Sequence, residues 1–260
     1  MRPGGGQAVC RPHGGVSARR WIAKGRTGTT CSALFLSRSI VDAMIITIDG
    51  PAGAGKSSAA KALARRLGFE FLDTGAMYRA VTLLALRAGI DPQDQSALTR
   101  LLSDLRVEMP PDRVLVNGED VTGLLRTAAI TAASGTIADS AVVRGRLVQL
   151  QRQIATGRNM VCEGRDQGTI VFPDAECKFF VVADPVERAR RRQQEMADRG
   201  EIVALAEVLR AQEIRDQRDA ARDLAPMVPA PDAILLDTTN VSLDEVVDRM
   251  EHAVRRCQPG

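Results

Sequence analysis

Gly50-Pro51-Ala52-Gly53-Ala54-Gly55-Lys56-Ser57 follows directly on the apolar run Met44-Ile45-Ile46-Thr47-Ile48, and the reading of this join decides the fold. The spacing is G-x-x-x-x-G-K-[ST], that of a phosphate-cradling loop between a strand and a helix. The run before it is short and β-branched, as a buried parallel strand should be. The residues after it, Ser58 to Leu67, are helix formers with apolar positions at 59, 63 and 67. Glycines let the loop turn its N–H groups inward around phosphate oxygens, and the following helix points its positive dipole end at them. Gly50, Pro51, Ala52, Gly53, Ala54, Gly55, Lys56, Ser57 and Ser58 are therefore expected to hold a nucleoside triphosphate. Lys56 would neutralise its β- and γ-phosphates, and the Ser57 hydroxyl would bind Mg²⁺.

At 260 residues the chain is long enough for one sizeable α/β domain with a small insert. Aromatic residues make up only 3% of it, so Ala, Val, Leu and Ile must build the core. No apolar run approaches the ~20 residues that a membrane span requires. The cysteines at 10, 31, 162, 177 and 257 lack C-x-x-C or zinc-ligand spacing. Cys162 and Cys177 lie in apolar strand-like runs and read as buried, reduced thiols of a cytoplasmic protein.

Residues 1–43 stand apart. Seven Lys/Arg against the single acid Asp42 give this leader +6, which leaves −3 for the remainder of a chain whose formal charge is +3. The basicity thus belongs to the leader, and the core carries no signal for a nucleic-acid partner. The leader is rich in Gly, Arg and Ser without sustained periodicity, and is expected to be disordered. Three origins are open: a start called too early, with Met44 the true first residue; an Arg-rich transit peptide; and a functional basic tail. The first is favoured because Met44 opens the first strand.

From Met44 onward strands alternate with helices, the pattern of a parallel sheet covered on both faces. Phe69 to Leu72 reads as a second strand, and Ala76 to Ala88 as a helix. Residues 91–131 break the alternation. Pro110-Pro111-Asp112 and Asn117-Gly118 punctuate the strand-like runs 106–109 and 113–116, which suggests a small insert built around a β-hairpin. Residues 134–156 look helical. Asn159 to Glu163 and Lys178 to Ala183 read as the third and fourth strands, joined by the polar loop Gly164-Arg165-Asp166-Gln167-Gly168-Thr169. Such loops at the carboxyl ends of strands are where ligands sit in open α/β sheets. A long helical region follows Asp184-Pro185, interrupted at Gly200. Ala233 to Asp237 reads as a fifth strand, and a final helix starts near Ser242, with Glu245 placed for a capping box.

A P-loop alone does not separate kinases from GTPases and motor ATPases. The chain has no guanine-reading Asn-Lys-x-Asp, and the third strand ends in Glu163-Gly164 rather than Asp-Glu. Instead, arginines recur at helical spacing after the fourth strand: Arg188, Arg191 and Arg192, then Arg215, Arg218 and Arg222. Phosphoryl transfer needs positive groups around the transferred phosphoryl and exclusion of water, both of which a closing arginine-bearing segment supplies.

Several collinear segments carry a family resemblance: Ile48 to Ser57, Leu72-Asp73-Thr74-Gly75-Ala76-Met77-Tyr78-Arg79, Glu163 to Thr169, Arg215-Asp216-Gln217-Arg218-Asp219 and Ala225-Pro226-Met227-Val228-Pro229. From Met44 on, the chain resembles bacterial cytidylate kinase, a P-loop nucleoside monophosphate kinase. The resemblance implies a three-layer α/β parallel sheet, an inserted NMP-binding subdomain of a small β-hairpin plus helices, and a helical lid. The implied division is a kinase domain at 44–260, an NMP-binding region at 74–158 with its insert near 91–131, and a lid at about 188–202. The implied reaction is ATP- and Mg²⁺-dependent phosphorylation of CMP and dCMP by a monomer. By the same resemblance Arg79, Arg165 and Arg215 grip the acceptor phosphate, and Asp166, Ser134 and Arg144 read the cytosine edge. Asp219 and Arg222 surround the ribose and phosphates, and Thr74 stands where the family often has Ser. Arg188, Arg191 and Arg192 start the lid and join Lys56 in catalysis. Gln167 departs from the apolar residue common there, next to the base reader. Asp73 is open to two roles, orienting Mg²⁺ waters or capping a helix; Tyr78 reads as packing. Two rivals stay open: a P-loop kinase for UMP or a non-nucleotide acceptor, and a non-enzymatic nucleotide- or RNA-binding protein using the leader.

Overall fold

The computed structural model describes residues 43–257; the leader (except Ala43), with Cys10 and Cys31, lies outside them. Strand β1 (Ile45–Asp49) runs through the middle of a five-stranded sheet. It is flanked by β6 (Met160–Glu163) and β7 (Cys177–Val182), with β2 (Glu70–Asp73) and β8 (Ile234–Asp237) at the edges, in the order β2-β6-β1-β7-β8. All four pairings are parallel. The register sets Ile48 beside Glu163 and Glu163 beside Asp73, so acids from three neighbouring strands gather at the carboxyl edge.

Helices cover both faces because the strands between them are apolar on both sides. On one face α1 (Lys56–Leu67) and α8 (Leu243–Cys257) pack through Ala60, Leu63, Val247 and Met250 onto Ile46, Ile48 and Phe179. On the other, α2 (Thr74–Arg87) and α5 (Ala141–Ala155) bury Met77, Val81 and Leu147 in a second cluster with Leu72 and Met160. Local signals end these elements as expected: Gly68 closes α1 in the left-handed region, and Ser242 and Glu245 form a reciprocal capping box at α8. Cys162 and Cys177 are free and buried, and burial pushes both thiols up, which keeps them unreactive.

The region 91–131 differs in detail from the hairpin expected. Helix α3 (Gln95–Ser103) leads into three short antiparallel strands, β3 (Val107–Glu108), β4 (Leu115–Val116) and β5 (Glu119–Asp120). Asn117-Gly118 makes the second turn, both residues at positive φ, which adds the third strand. The helix expected over 134–156 is two helices, α4 (Ala128–Asp139) and α5. Ser140 divides them: its backbone is extended, and its hydroxyl caps α5 by accepting from the Val143 N–H. The polar loop after β6 is also more ordered than its composition suggests, winding into a π-helical turn at Gln167–Val171.

Candidate functional site

The P-loop connects β1 to α1 at the sheet's carboxyl edge. Gly50 has φ 136°, and a Cβ there would sit 2.0 Å from the Val181 carbonyl oxygen, so only glycine lets the loop pass this close to β7. Gly53 and Gly55 also hold positive φ. Gly55 occupies the N-cap of α1 without a capping side chain, which leaves the first-turn N–H groups for an anion. Lys56 is buried, and its Nζ donates to the Pro51 carbonyl at 2.6 Å with Glu163 Oε1 3.8 Å away. Burial, then the nearby Arg165, draws its pKa down to about 7, against the pull of Glu163. Ser57 is half-buried and Ser58 exposed in the first turn.

Helix α6 (Pro185–Ala197) brings Arg188 and Arg191 to this loop and carries Arg192 beside them. Arg188 is buried; its guanidinium donates to the carbonyls of Ala52 and Ala183, both at 3.1 Å, and pairs with Asp216 on α7 (Leu205–Ala220). Arg191 donates to the Thr238 carbonyl at 2.7 Å and to Glu187 at 3.1 Å, and its Nη1 lies 3.8 Å from where a Gly55 side chain would begin. Arg192 pairs with Glu195 at 2.9 Å. The turn joining α6 to α7 is bent at Gly200 and carries Ile202, 98% exposed.

Further predicted site residues come from β2, α2, the loop after β6 and α7 with the turn that follows it. Arg79 on α2 donates to Asp73 Oδ2 at 3.1 Å, and Asp73 Oδ1 accepts from the Ala76 N–H, so Asp73 caps α2 and holds Arg79. Thr74 is buried and donates to the Glu163 carbonyl at 2.7 Å. Arg165 donates to Asp219 Oδ2 at 3.2 Å, and Arg222 pairs with the other Asp219 oxygen and with Asp139. Arg215 stands at the cleft rim. Desolvation there, then Arg165, Arg79 and Arg192, draws its pKa down to about 10 even with Asp219 nearby. Mutual crowding of this kind marks a site that an anion would relieve.

Asp166 and Arg144 form a buried ion pair behind this cluster. Burial pushes the Asp166 carboxyl up, against the opposing pull of Arg144 and Arg222. Ser134 is not drawn into that pair: its hydroxyl donates within α4, to the Thr131 carbonyl at 3.0 Å.

Asp139, Asp216 and Asp49 escaped sequence reasoning, as did one contact of Tyr78. Tyr78 packs as expected, yet its ring also carries the Arg144 guanidinium 5.7 Å from its centroid. Asp139 fastens Arg218 and Arg222 from α4, and Asp216 fastens Arg188. None of these partners is close enough in sequence to signal the pairing. Asp49, the last residue of β1, accepts from the N–H groups of Gln167 at 2.9 Å and Gly168 at 2.8 Å. Burial outweighs these bonds and raises its carboxyl to about 7. Only its place before Gly50 hinted at a role.

An uncapped helix N-terminus with a lysine thus faces a crowded guanidinium cluster, with a carboxylate–guanidinium pair behind it. Two anionic groups held there would be brought together. A family model described as cytidylate kinase matches residues 46–256. A cytidylate kinase of Rhodopirellula baltica is 47% identical over 214 residues, covering 82% of this chain and 93% of its own. That of Geobacter sulfurreducens is 47% identical over 224 residues, covering 84% and 96%. That of Pelotomaculum thermopropionicum is 48% identical over 207 residues, covering 78% and 92%.

Proposed function

Because the chain belongs to the cytidylate kinase family, we propose that it transfers the γ-phosphoryl of ATP to CMP and dCMP, giving ADP with CDP or dCDP. The observation that carries this reading is the gathering of Arg79, Arg165, Arg192 and Arg215 within charge range of one another, with Arg165 and Arg215 also within range of Lys56 of the P-loop. Gly50 to Ser58 receive the triphosphate. Lys56 is positioned to neutralise the β- and γ-phosphates once it leaves the Pro51 carbonyl. Arg188 fixes the loop through Ala52, Arg191 braces it through Thr238, whose hydroxyl donates to the Ala54 carbonyl, and Arg192 is assigned to the transferred group once it leaves Glu195.

The fit to Mg²⁺ follows from the donors present. Among the described residues no cluster of three acids, cysteines or histidines is placed to chelate a metal. A half-buried Ser57 hydroxyl at the start of α1 suits a small hard cation that takes most of its oxygens from phosphates and water. Bound there, Mg²⁺ would supply charge neutralisation to the phosphates.

Arg79, Arg165 and Arg215 take the acceptor phosphate, which bidentate guanidinium geometry suits. Asp166 accepts from the exocyclic amine that cytosine has and uracil lacks, with Arg144 beside it and Ser134 reaching the same edge only once its hydroxyl leaves the Thr131 carbonyl; Thr74, Asp219 and Arg222 border the ribose and phosphate. The acceptor is already anionic, so no general base is required, and catalysis is positioning plus charge neutralisation. Residues 74–158 then act as the acceptor region and about 188–202 as the lid. The remaining features of this reading are a cytoplasmic monomer working on small molecules, without nucleic acid. No helix among the described residues is long and apolar enough to cross a membrane.

A coupled ADP-release assay on the chain from Met44, offering CMP, dCMP, UMP, AMP and GMP, tests all of this. Turnover with CMP and dCMP alone supports it. Comparable turnover with UMP keeps the kinase and removes the Asp166 assignment, and no turnover from folded protein overturns the reading.

A further inference from the structure

The loop holding Arg165 and Asp166 is suspended from the end of β1 at two points. On one side the Gly164 N–H donates to the Ile48 carbonyl at 3.1 Å, continuing the strand ladder. On the other, the Gln167 and Gly168 N–H groups donate separately to the two carboxylate oxygens of Asp49. Arg165 and Asp166 occupy the two positions between these attachments. Gly168 is part of the same device: a Cβ there would lie 2.9 Å from Thr47 Oγ1 and 3.5 Å from Asp49 Oδ2, so glycine lets the turn lie flat on β1. Beyond it, Arg152 holds the carbonyls of Ile170 and Val171, both at 2.9 Å. Asp49 is 4% exposed, and the next residue is Gly50, the first of the P-loop.

We propose that Asp49 is a positioning residue that sets the acceptor-reading loop in register with the triphosphate loop, its two oxygens fixing where Arg165 and Asp166 stand. The inference rests on the assignment of Arg165 and Asp166 to the acceptor. A carboxylate suits the task because both its oxygens accept, and two backbone N–H groups converge on it. An amide of the same shape presents one oxygen and one NH₂, so one converging N–H would face a donor.

The test is steady-state kinetics of Asp49→Asn with CMP, UMP and ATP varied separately, beside the wild type, and of Gly168→Ala, which displaces the same turn by steric contact. Wild-type turnover of CMP tests the assignment itself; the variants test Asp49. The expected result is a KM for CMP raised at least tenfold, on the order of one lost buried hydrogen bond with its donor left unpaired. The KM for ATP stays within about twofold, and the preference for CMP over UMP shrinks. Gly168→Ala shifts the same constants in the same direction and decides the matter if Asp49→Asn does not fold. An unchanged KM and base preference overturns the proposal. So does an equal rise in the constants for CMP and ATP, which would mark Asp49 as a support of the fold alone.

Discussion

Replacing Arg188 by Ala should register first as lost stability, because its guanidinium is fully engaged by the protein. It is 6% exposed, donates to the Ala52 and Ala183 carbonyls, and pairs with Asp216. Truncation leaves Asp216, whose side chain is 16% exposed, without its cation, while its Oδ1 has no partner even now. Stripping one member from such a buried pair costs about 3–5 kcal/mol, and the partial exposure of Asp216 places this case near 3. For a domain of this size each kcal/mol is worth about 2–4 °C, so the nucleotide-free melting temperature should fall by roughly 6–12 °C. The assay is calorimetric or circular-dichroism melting of Arg188→Ala, Asp216→Ala and the double variant. The double variant should lose clearly less than the two single losses summed, since either truncation already breaks the pair. An Arg188→Ala protein that melts within about 2 °C of wild type, or strictly additive losses, refutes the reasoning.

Arg192→Ala, by contrast, removes a half-exposed side chain with one surface partner, so melting should move little while kcat falls by a factor of ten or more. Lys56→Ala should lower kcat at least a thousandfold, read by ADP release alongside an unchanged far-ultraviolet spectrum. Gly53→Ala would set a Cβ 2.8 Å from Gln212 Nε2 and 3.0 Å from the Arg188 carbonyl at φ 77°, so it should raise the KM for ATP well above that for CMP. Asp49 has a folded-state pKa raised from 3.8 to about 7, so its stabilising contribution is present below pH 3.8 and lost as pH rises through 7. The stability of wild type relative to Asp49→Asn, from denaturant unfolding, should therefore increase on acidification from pH 7 to 5; a constant difference would instead mean that the two N–H groups hold the carboxylate ionised across that range.

Much of this architecture was legible because strong local signals agreed with one another. The β-branched run, the glycine loop and the helix formers after it placed β1, the P-loop and α1, and the alternation after Met44 gave a parallel sheet. What escaped depended on single residues acting against their surroundings. Ser140 ends one helix and caps the next within an otherwise continuous helical pattern, so 134–156 read as one. The third strand of the small sheet is two acids, Glu119 and Asp120, with no apolar alternation to announce it. The arginine spacing was visible, but whether an arginine faces a phosphate or a protein carboxylate depends on partners far along the chain. Asp216 lies 28 residues from Arg188, and Asp139 lies 83 from Arg222. Asp49 was hidden for the opposite reason, since an acid at a strand end beside a glycine is an ordinary way to leave a sheet.

The two apolar clusters lie on opposite faces of one sheet, the P-loop helix in one and the insert with α2 and α5 in the other. Side chains on one face do not interlock with those on the other, and the strands between them carry only small steric changes across. Substitutions that repack the face holding α2, α5 and the insert should therefore leave the packing around the P-loop helix in place.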